Sequence, residues 1–405
     1  MSAATPLTPY QRRLFVFLSV ATFFEGYDFM ALTQILPNLR AELGIDQAGA
    51  GALVATINVG TVLAYLLVRK ADRWGRRRVL TATIVGYTVF TFLTGFAPNV
   101  WVFGALQLLA RLFLIAEWAT SMVIAAEEFP ADRRGMVIGV IQACSSLGSV
   151  FCAGIVPLLL VAPWGWRTVY FVGVLPLIII AYARRNLKET ERFAHDHSEA
   201  KPSLLAIWRT PHKKRILELG AIWFLTYICT QNGVTFFKEF AVGERGFTDG
   251  QVGLAIAIAA VASMPLVFYS GKLIDLLGRQ YGALIIFGLG SAGVFFSYTL
   301  HGFWPLCMAL VFGIFGASAV LPVLNAYTTE LFPTRYRGDG FAWSNNILGR
   351  IGYVLSPAVV GWFAADVGWG NAVRATAIFP LIGVGLIFWL LPETRNRELE
   401  ETAVL

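Results

Sequence analysis

The stretch "IDLLGRQ" at residues 274–280 repeats the stretch "ADRWGRR" at residues 71–77, and this repeat is the clearest indication of the fold. An aspartate, a glycine and an arginine hold the same places in both stretches, and each returns 203 residues later. The same offset joins "EEFPADRRG" at residues 127–135 to "ELFPTRYRG" at residues 330–338. Two motifs in one order and at one offset indicate that the chain consists of two related halves.

The apolar content of the chain predicts a membrane protein. Of its 405 residues 57% are hydrophobic and 14% are charged, and the mean hydropathy is +0.64. A soluble protein of this length has far more charge, about 25% of its residues. Apolar runs close to the roughly 20 residues that cross a bilayer recur along the whole chain. Twelve transmembrane helices are predicted, at residues 14–38, 48–68, 79–97, 101–127, 135–160, 166–183, 214–237, 250–271, 281–300, 303–330, 338–364 and 371–391.

The repeat divides these helices into two pseudo-symmetric six-helix bundles, so the predicted fold class is an all-α membrane protein. We expect the N-terminal bundle at residues 1–183, a cytoplasmic linker at 184–213 and the C-terminal bundle at 214–405. The linker is rich in charged residues and contains Pro202 and Pro211. Both bundles begin on the same side of the membrane, and carriers built from repeats hold their substrate near the bilayer midplane, where the repeats meet.

The distribution of charge predicts the orientation of the chain. Most of the 32 lysines and arginines fall in loops that share one side of the membrane. Such loops stay in the cytoplasm, so we expect an inner-membrane protein with both termini cytoplasmic. The net charge of +7 then reflects topology, not a nucleic-acid partner. The four cysteines lack the spacing of a disulfide framework or a metal site. The predicted helices contain no set of a nucleophile and a base at membrane depth, so the sequence does not predict an enzyme.

The loop motifs resemble those of the major facilitator superfamily, with a D-R-x-G-R-R loop, its twin in the second half and two E-x-F-P-x-x-x-R-G loops. In addition, "FEGYD" at residues 24–28 and "RLFLIAEW" at 111–118 resemble the metabolite:proton symporters, which include aromatic-acid:proton symporters and related organic-ion carriers. The resemblance implies the twelve-helix major facilitator fold and transport by alternating access. The aromatic-acid branch usually has Asp where this chain has Glu25, and Val68 stands where a loop glycine is expected.

Two acids in the first predicted helix are candidates for proton coupling. Glu25 and Asp28 lie at i and i+3, on one helix face. Acids inside a membrane are costly and usually functional, so we expect the pair to border an aqueous cavity and at least one of them to carry protons. The alternative is a structural ion pair with a neighbouring helix.

Arg111 in the fourth predicted helix is the expected partner of these acids, because a guanidinium cannot lose its charge to escape burial. Proton-coupled members of the superfamily pair an acid of helix 1 with an arginine of helix 4, and Asp28 with Arg111 resembles that arrangement. Protonation of Asp28 would then release Arg111. The alternative is a permanent structural pair. Glu117 lies six residues further on, facing either helix 2 or the cavity.

The eleventh predicted helix carries the candidate substrate site. In an α-helix Trp343, Asn346 and Arg350 would form one stripe, which Tyr353 extends. An arginine forks onto a carboxylate, while aromatic rings cover an apolar body. Related organic-anion carriers resemble this arrangement, with an arginine of helix 11 associated with anionic substrates. The alternative is that Arg350 only balances the charge of an acid.

Further polar side chains in the predicted helices are candidates for lining the cavity. The repeat offset relates Asp28 to Gln231, and Gln142 to Asn345. Tyr227 shares a face with Gln231, and Asn232 lies beside it. Such groups either contact a substrate or form hydrogen bonds between helices.

The loop motifs predict a gate at the cytoplasmic ends of the helices, where opposite charges can pair in one conformation and separate in the other. The candidate gating residues are Asp72, Arg73, Gly75, Arg76, Glu127, Arg134, Asp275, Gly278, Arg279, Glu330 and Arg337. The alternative is that these charges only set topology.

The sequence therefore predicts a symporter that imports a small organic acid, with aromatic carboxylates as candidates, together with protons. Its expected partners are an organic anion, protons and the lipid bilayer, and we expect a monomer with no cofactor apart from the proton gradient. A carrier of sugars, polyols or organic cations, including drug efflux, is the alternative within transporters. A metabolite sensor without transport is a third reading.

Overall fold

The part of the chain that the computed structural model describes covers residues 6–174, 205–333 and 336–395, without the side chains at positions 69–73, 131–135, 174 and 206. Every regular element within these ranges is helical, which confirms the predicted all-α class. Most of the predicted linker, residues 184–204, lies outside the described residues, as does the end of the sixth predicted helix at 175–183.

Six α-helices occupy the described part of the first half, and each overlaps a predicted one. They are α1 (Pro9–Leu43), α2 (Gln47–Trp74), α3 (Arg76–Thr94), α4 (Val100–Glu128), α5 (Ala131–Leu160) and α6 (Arg167–Phe171), which continues as a 3-10 turn at Val172–Val174.

Eight α-helices and a 3-10 turn occupy the described part of the second half. They are the turn Ala206–Arg209, α7 (Lys213–Thr235), α8 (Phe237–Gly243), α9 (Asp249–Leu277), α10 (Arg279–Ser297), α11 (Phe303–Glu330), α12 (Arg337–Phe341), α13 (Arg350–Ala375) and α14 (Ile378–Leu390). A π-helix at Ala342–Gly349 joins α12 to α13, and the three together replace the predicted eleventh helix.

The helices are longer than their apolar stretches, as α1 shows. Its 35 residues extend about 52 Å at 1.5 Å per residue, against roughly 30 Å of hydrocarbon. The predicted limits followed hydropathy, whereas backbone geometry sets the ends. The helix starts at Pro9, which is tolerated at the first helical position. It stops before Gly44, whose φ of 63° suits a helix terminus.

Eight segments within the described residues are long and apolar enough to cross a membrane. One of them, residues 337–390, contains both the eleventh and the twelfth predicted helices. α3 and α7 are not among the eight. Three arginines at the start of α3 lower its hydropathy, and polar residues within α7, among them Glu218, Gln231 and Asn232, lower that of α7.

The chain divides into two compact units. The first consists of Met1–Leu43 and Thr56–Ala200. In it α1 packs closely on α5, since Gly26 lies directly against the Ser145 carbonyl and Gly148 against that of Phe23. These glycines allow the two backbones to meet where a β-carbon would collide.

The second unit consists of Gly44–Ala55 and Lys201–Leu405. Its core is formed by large buried side chains such as Trp223 and Tyr327. The first residues of α2 belong to this unit, where Gly51 packs against α13; a β-carbon added at Gly361 would lie 2.7 Å from the Gly51 Cα. The predicted domain boundaries remain a prediction.

Candidate functional site

Four ionisable side chains predicted for proton coupling are buried in the first unit. α1 supplies Glu25 and Asp28, and α4 supplies Arg111 and Glu117. Their exposed fractions are 8% for Glu25, 6% for Asp28, 5% for Arg111 and 0% for Glu117. All four are therefore buried, and the access of Glu25 and Asp28 to an aqueous cavity remains a prediction. Their proton-carrying role remains a prediction.

Hydroxyl groups hold two of the carboxylates. Thr91 of α3 donates to Oδ2 of Asp28 at 3.1 Å, and Ser121 donates to Oε1 of Glu117 at 2.7 Å. One carboxylate oxygen of each remains without a hydrogen-bond partner, as does one oxygen of Glu25. Hydrogen-bonding capacity in this part of the unit is therefore only partly used.

Arg111 is near the acids but does not form a direct ion pair with them. Its charge acts on both Glu25 and Asp28, and that of Glu117 acts on Glu25. Its guanidinium lies over the ring of Phe29, 4.8 Å from the centroid. Among the described residues Arg111 makes no salt bridge, and its Nη1 has no hydrogen-bond partner. In this conformation Arg111 therefore acts on Asp28 through its charge, and the two side chains do not form the expected ion pair.

Three polar side chains of α3 near these acids are not among the residues predicted from the sequence. Tyr87, Thr91 and Thr94 follow one another at i, i+4 and i+7, and all three are buried. Thr94 accepts a hydrogen bond from Gln107 of α4 at 3.2 Å. The signal that was available is this polar spacing within an otherwise apolar helix.

In the second unit the structure brings together Tyr227, Asn345, Arg350 and Tyr353. The Tyr227 hydroxyl donates to Oδ1 of Asn345 at 2.8 Å. The Arg350 guanidinium lies 5.8 Å from the Tyr227 ring centroid and 5.3 Å from that of Tyr353. Arg350 is partly buried and makes no salt bridge among the described residues.

The α-helical spacing expected for Trp343 and Asn346 is wrong, because residues 342–349 form a π-helix. Its i→i+5 hydrogen bonds shift side chains away from the α-helical spacing. Arg350 and Tyr353 follow the π-helix and lie close together, and Asn345 of the π-helix contacts Tyr227. Trp343 packs edge-on against Trp208, with ring centroids 5.1 Å apart. A substrate contact for Trp343 or Asn346 remains a prediction.

The other polar candidates have partners close by. Asn232 donates to Ser356 of α13 at 2.8 Å, and Gln231 donates to Thr235 at 3.0 Å. Gln142 of the first unit is exposed, with its amide nitrogen 3.8 Å from the sulfur of Met122.

The candidate gating residues form matching ion pairs in the two units. Arg76 lies 3.2 Å from Glu127, and Arg279 lies 2.9 Å from Glu330. Arg279 also contacts Asp275 at 2.7 Å. The side chains of Asp72, Arg73 and Arg134 lie outside the described residues. The Nε of Arg337 finds no hydrogen-bond partner among the described residues.

The two arginines follow glycines with the same unusual backbone. Gly75 has a φ of 95° and Gly278 a φ of 93°, a region that side chains other than glycine rarely adopt. Each glycine turns the chain between two helices and places the next arginine at a helix start.

A carboxylate from the end of the chain caps α10. Glu393 accepts hydrogen bonds from the backbone N–H groups of Arg279 at 2.9 Å and Gln280 at 3.0 Å. Burial alone would raise the pKa of Glu393, but the backbone donors stabilise its charge and lower the pKa below the ordinary value of 4.5. Beside it, Thr394 donates to Glu330 at 2.5 Å.

No group of three or more His, Cys, Asp or Glu side chains that could hold a metal ion occurs in the described part of the chain. The polar constellations are instead the buried acids of the first unit and the arginine–tyrosine cluster of the second. Helices that cross a membrane, arranged as two repeated halves with ionisable groups inside, define an integral membrane transporter and not an enzyme.

The chain belongs to the Major Facilitator Superfamily, whose model matches residues 18–349 and 224–404. It has the twelve-helix, two-bundle fold of that superfamily, as predicted. It is 24% identical to the sialic acid transporter NanX of Escherichia coli (strain K12), over 95% of this chain and 96% of the relative. It is 25% identical to a probable 4-methylmuconolactone transporter of Cupriavidus pinatubonensis, over 97% of this chain and 93% of the relative.

The fold is also that of solved transporters. A bacterial homologue of the human lysosomal transporter Spinster, in an inward-facing and unoccupied conformation, matches with a TM-score of 0.78. The match covers 95% of this chain and 97% of that one, at 14% sequence identity. At that identity the likeness defines the fold alone.

Proposed function

We propose that the protein is a proton-coupled symporter that carries a small organic acid, with aromatic carboxylates as candidates, into the cell. The observation that carries this proposal is that Arg350 has aromatic neighbours but no ion-pair partner among the described residues. Its guanidinium is partly buried beside two tyrosine rings. A guanidinium in this position can offer its forked hydrogen-bond donors to a carboxylate, so the substrate is the proposed partner.

The surroundings of Arg350 support an anion. Because Tyr227 donates its proton to Oδ1 of Asn345, the Asn345 amide keeps its N–H groups available as donors. A guanidinium and an amide then offer only donors, which suits a carboxylate. The rings of Tyr227 and Tyr353 supply apolar faces for the body of the acid. In the alternative reading Arg350 balances an acid of the protein, and no such acid pairs with it among the described residues.

The charge balance in the first unit supports proton coupling. Glu25, Asp28 and Glu117 are three buried carboxyl groups, and Arg111 is the cation of the described residues that acts on the first two. Unpaired buried charges are strongly unfavourable, so all three carboxyl groups cannot be ionised together at low cost. Proton uptake and release by this cluster is the proposed coupling event.

In the proposed cycle the acids of the first unit take up protons from outside while Arg350 binds the substrate carboxylate. The carrier then exposes both sites to the cytoplasm, where protons and acid leave. We place the protein in the inner membrane with both termini cytoplasmic, because basic residues concentrate in the loops of one side. A relative named for sialic acid supports an acidic substrate. We propose a monomer that uses no cofactor beyond the proton gradient.

Uptake by proteoliposomes tests this proposal. The purified protein is reconstituted, an inward proton gradient is imposed, and labelled aromatic acids, aliphatic acids, sugars, polyols and organic cations are compared. We expect accumulation of an acid above equilibrium, abolished by a protonophore. Uptake of acids that ignores the gradient would remove the symport proposal. Gradient-driven movement of a sugar, polyol or cation in place of acids would establish the alternative carrier.

A further inference from the structure

Two polar stripes face the buried acids of the first unit, one on α3 and one on α4. The α3 stripe consists of Tyr87, Thr91 and Thr94, spaced i, i+4 and i+7. The α4 stripe consists of Gln107, Arg111, Glu117 and Ser121, and all members of both stripes are buried. Polar and ionisable groups inside a membrane bundle are energetically costly, and they usually mark a functional site.

One hydrogen bond connects the two stripes, since Gln107 donates to Thr94 at 3.2 Å near one end. In the middle Thr91 joins the α3 stripe to α1 by donating to Asp28 at 3.1 Å. Near the other end Ser121 donates to Glu117 within α4 at 2.7 Å. From Gln107 to Ser121 the stripe covers about 21 Å of helix axis, against roughly 30 Å of hydrocarbon. The polar groups therefore extend over most of the depth of the membrane.

Along α3, Tyr87 lies one helical turn beyond Thr91, on the side away from the contact between Thr94 and Gln107. It is only 1% exposed, and it lies on the same face of α3 as Thr91. The charges of Glu117, Asp28 and Glu25 all act on its hydroxyl. That hydroxyl has no hydrogen bond of normal geometry, although Thr88 is close enough to interact with it.

The neighbouring tyrosines are placed differently. The Tyr27 hydroxyl is occupied, since it donates to the Val169 carbonyl at 3.1 Å. Tyr170 of α6 also has a buried, unpartnered hydroxyl, but it belongs to neither α3 nor α4. Tyr87 is the one of these three tyrosines that lies on the α3 stripe, one helical turn from the Thr91 hydroxyl that donates to Asp28.

We propose that Tyr87 relays protons between Asp28 and Glu117, and that the two polar stripes form the proton path of the first unit. This inference rests on the proposed proton-coupled function. It assigns a role to a residue outside the charged pair that the sequence singled out, and it makes Glu117 the second station of the path.

The relay conserves protons and charge. Because no direct hydrogen bond joins these groups in this conformation, the proposed path includes one water molecule on each side of the Tyr87 hydroxyl. The protonated Asp28 carboxyl gives its proton to the first water, which passes one of its own protons to the Tyr87 oxygen. The original hydroxyl proton of Tyr87 passes to the second water, which gives one of its protons to the Glu117 carboxylate. Asp28 ends ionised, Glu117 ends neutral, and Tyr87 and both waters are unchanged.

The decisive variant is Tyr87→Phe, which removes the hydroxyl and keeps the ring. The matched control is Tyr327→Phe, since Tyr327 is also buried with an unpartnered hydroxyl but belongs to the second unit. Gradient-driven accumulation and substrate counterflow are both measured in proteoliposomes. We expect the initial rate of gradient-driven uptake to fall about 100-fold in Tyr87→Phe, within the range that general acid–base groups contribute. Counterflow, which needs no net proton transfer, should stay near the wild-type rate.

A second pair of variants guards against misfolding. Thr91→Val removes the hydroxyl that binds Asp28, whereas Thr83→Val removes one that binds only the Leu80 carbonyl of its own helix at 2.9 Å. We expect slower gradient-driven uptake in the first and normal uptake in the second.

The possible results separate the relay from the proposed function. Normal accumulation by Tyr87→Phe in a wild-type background that accumulates the acid would overturn the relay and leave symport intact. Equal losses of counterflow and accumulation would also overturn it, since they indicate a structural role. A wild-type protein without gradient-driven uptake would overturn both.

Discussion

Arg279 forms an ion pair with Glu330, its Nη2 lying 2.9 Å from Oε1 across the ends of α10 and α11. The same relationship occurs 203 residues earlier, where Arg76 lies 3.2 Å from Glu127. In the second unit Thr394 also donates to Glu330, so the carboxylate joins three segments of the chain. The internal repeat has therefore kept the contact and not only the residue types.

The Arg279–Glu330 pair should contribute to the stability of the second unit. Both side chains are largely buried, so Glu330→Gln leaves the guanidinium and the Thr394 hydroxyl poorly satisfied. We expect the free energy of unfolding to fall by about 1–3 kcal/mol, measured by denaturation in detergent. The matched control is Asp275→Asn, because Asp275 contacts the same arginine at 2.7 Å but is 70% exposed. It should change stability by less than about 1 kcal/mol, and equal losses from the two variants would contradict the prediction.

The Glu393 cap predicts a pH dependence of stability. The backbone N–H groups lower the pKa of Glu393 below 4.5 in the folded protein. A carboxylate with a lowered folded pKa stabilises the fold above its unfolded pKa, and that stabilisation disappears as the pH falls through the folded pKa. The Tm of Glu393→Gln should therefore lie below that of the wild type at neutral pH, and the two should converge in acid. A Tm difference that grows on acidification would contradict this assignment.

Arg350 should be required for binding of the acid. Loss of a charged, forked hydrogen-bond donor costs about 3 kcal/mol, which is about 100-fold in Kd. We therefore expect Arg350→Ala to weaken binding by about that factor, and Arg350→Lys to recover only part of it because the fork is lost. Titration calorimetry with the transported acid measures this. Arg374→Ala on the same helix is the control and should bind normally. Undiminished affinity in Arg350→Ala would assign Arg350 to charge balance.

Asp28 should be required for coupling but not for substrate exchange. Asp28→Asn keeps the size of the side chain and removes its ability to give up a proton. We expect gradient-driven accumulation to stop while counterflow continues, with Asp366→Asn, an exposed acid of α13, unchanged. Accumulation that survives in Asp28→Asn would shift the proton-carrying role to Glu25 or Glu117, which Glu25→Gln and Glu117→Gln then distinguish.

Several features of the candidate site could be predicted from the sequence and others could not. Buried ionisable residues such as Asp28 and Arg111 are conspicuous because hydrocarbon excludes charge, so their positions stand out in an apolar run. Tyr87 does not stand out, since a tyrosine in a membrane helix is ordinary. Only the rotation of α3 against α1 and α4 shows which carboxyl groups its hydroxyl faces.

The eleventh helix shows where local reasoning reaches its limit. The α-helical spacing predicts one face for Trp343, Asn346 and Arg350, but a π-helix at 342–349 changes that spacing for the first two. The wider turn of a π-helix leaves little trace in the pattern of residue types. The contact between Tyr227 and Asn345 of this segment is seen only in the structure.

Hydropathy, charge and repeated motifs suffice to predict that this chain spans a membrane in two related halves and resembles the major facilitator superfamily, because these properties are evident residue by residue along the chain. Only the packed helices show that Arg111 makes no direct pair with Asp28, that Arg350 lies beside two tyrosine rings, and that Tyr87 is buried one helical turn from the Thr91–Asp28 contact. Such contacts depend on how each helix is rotated and packed against its neighbours, and side-chain packing over many residues sets that rotation.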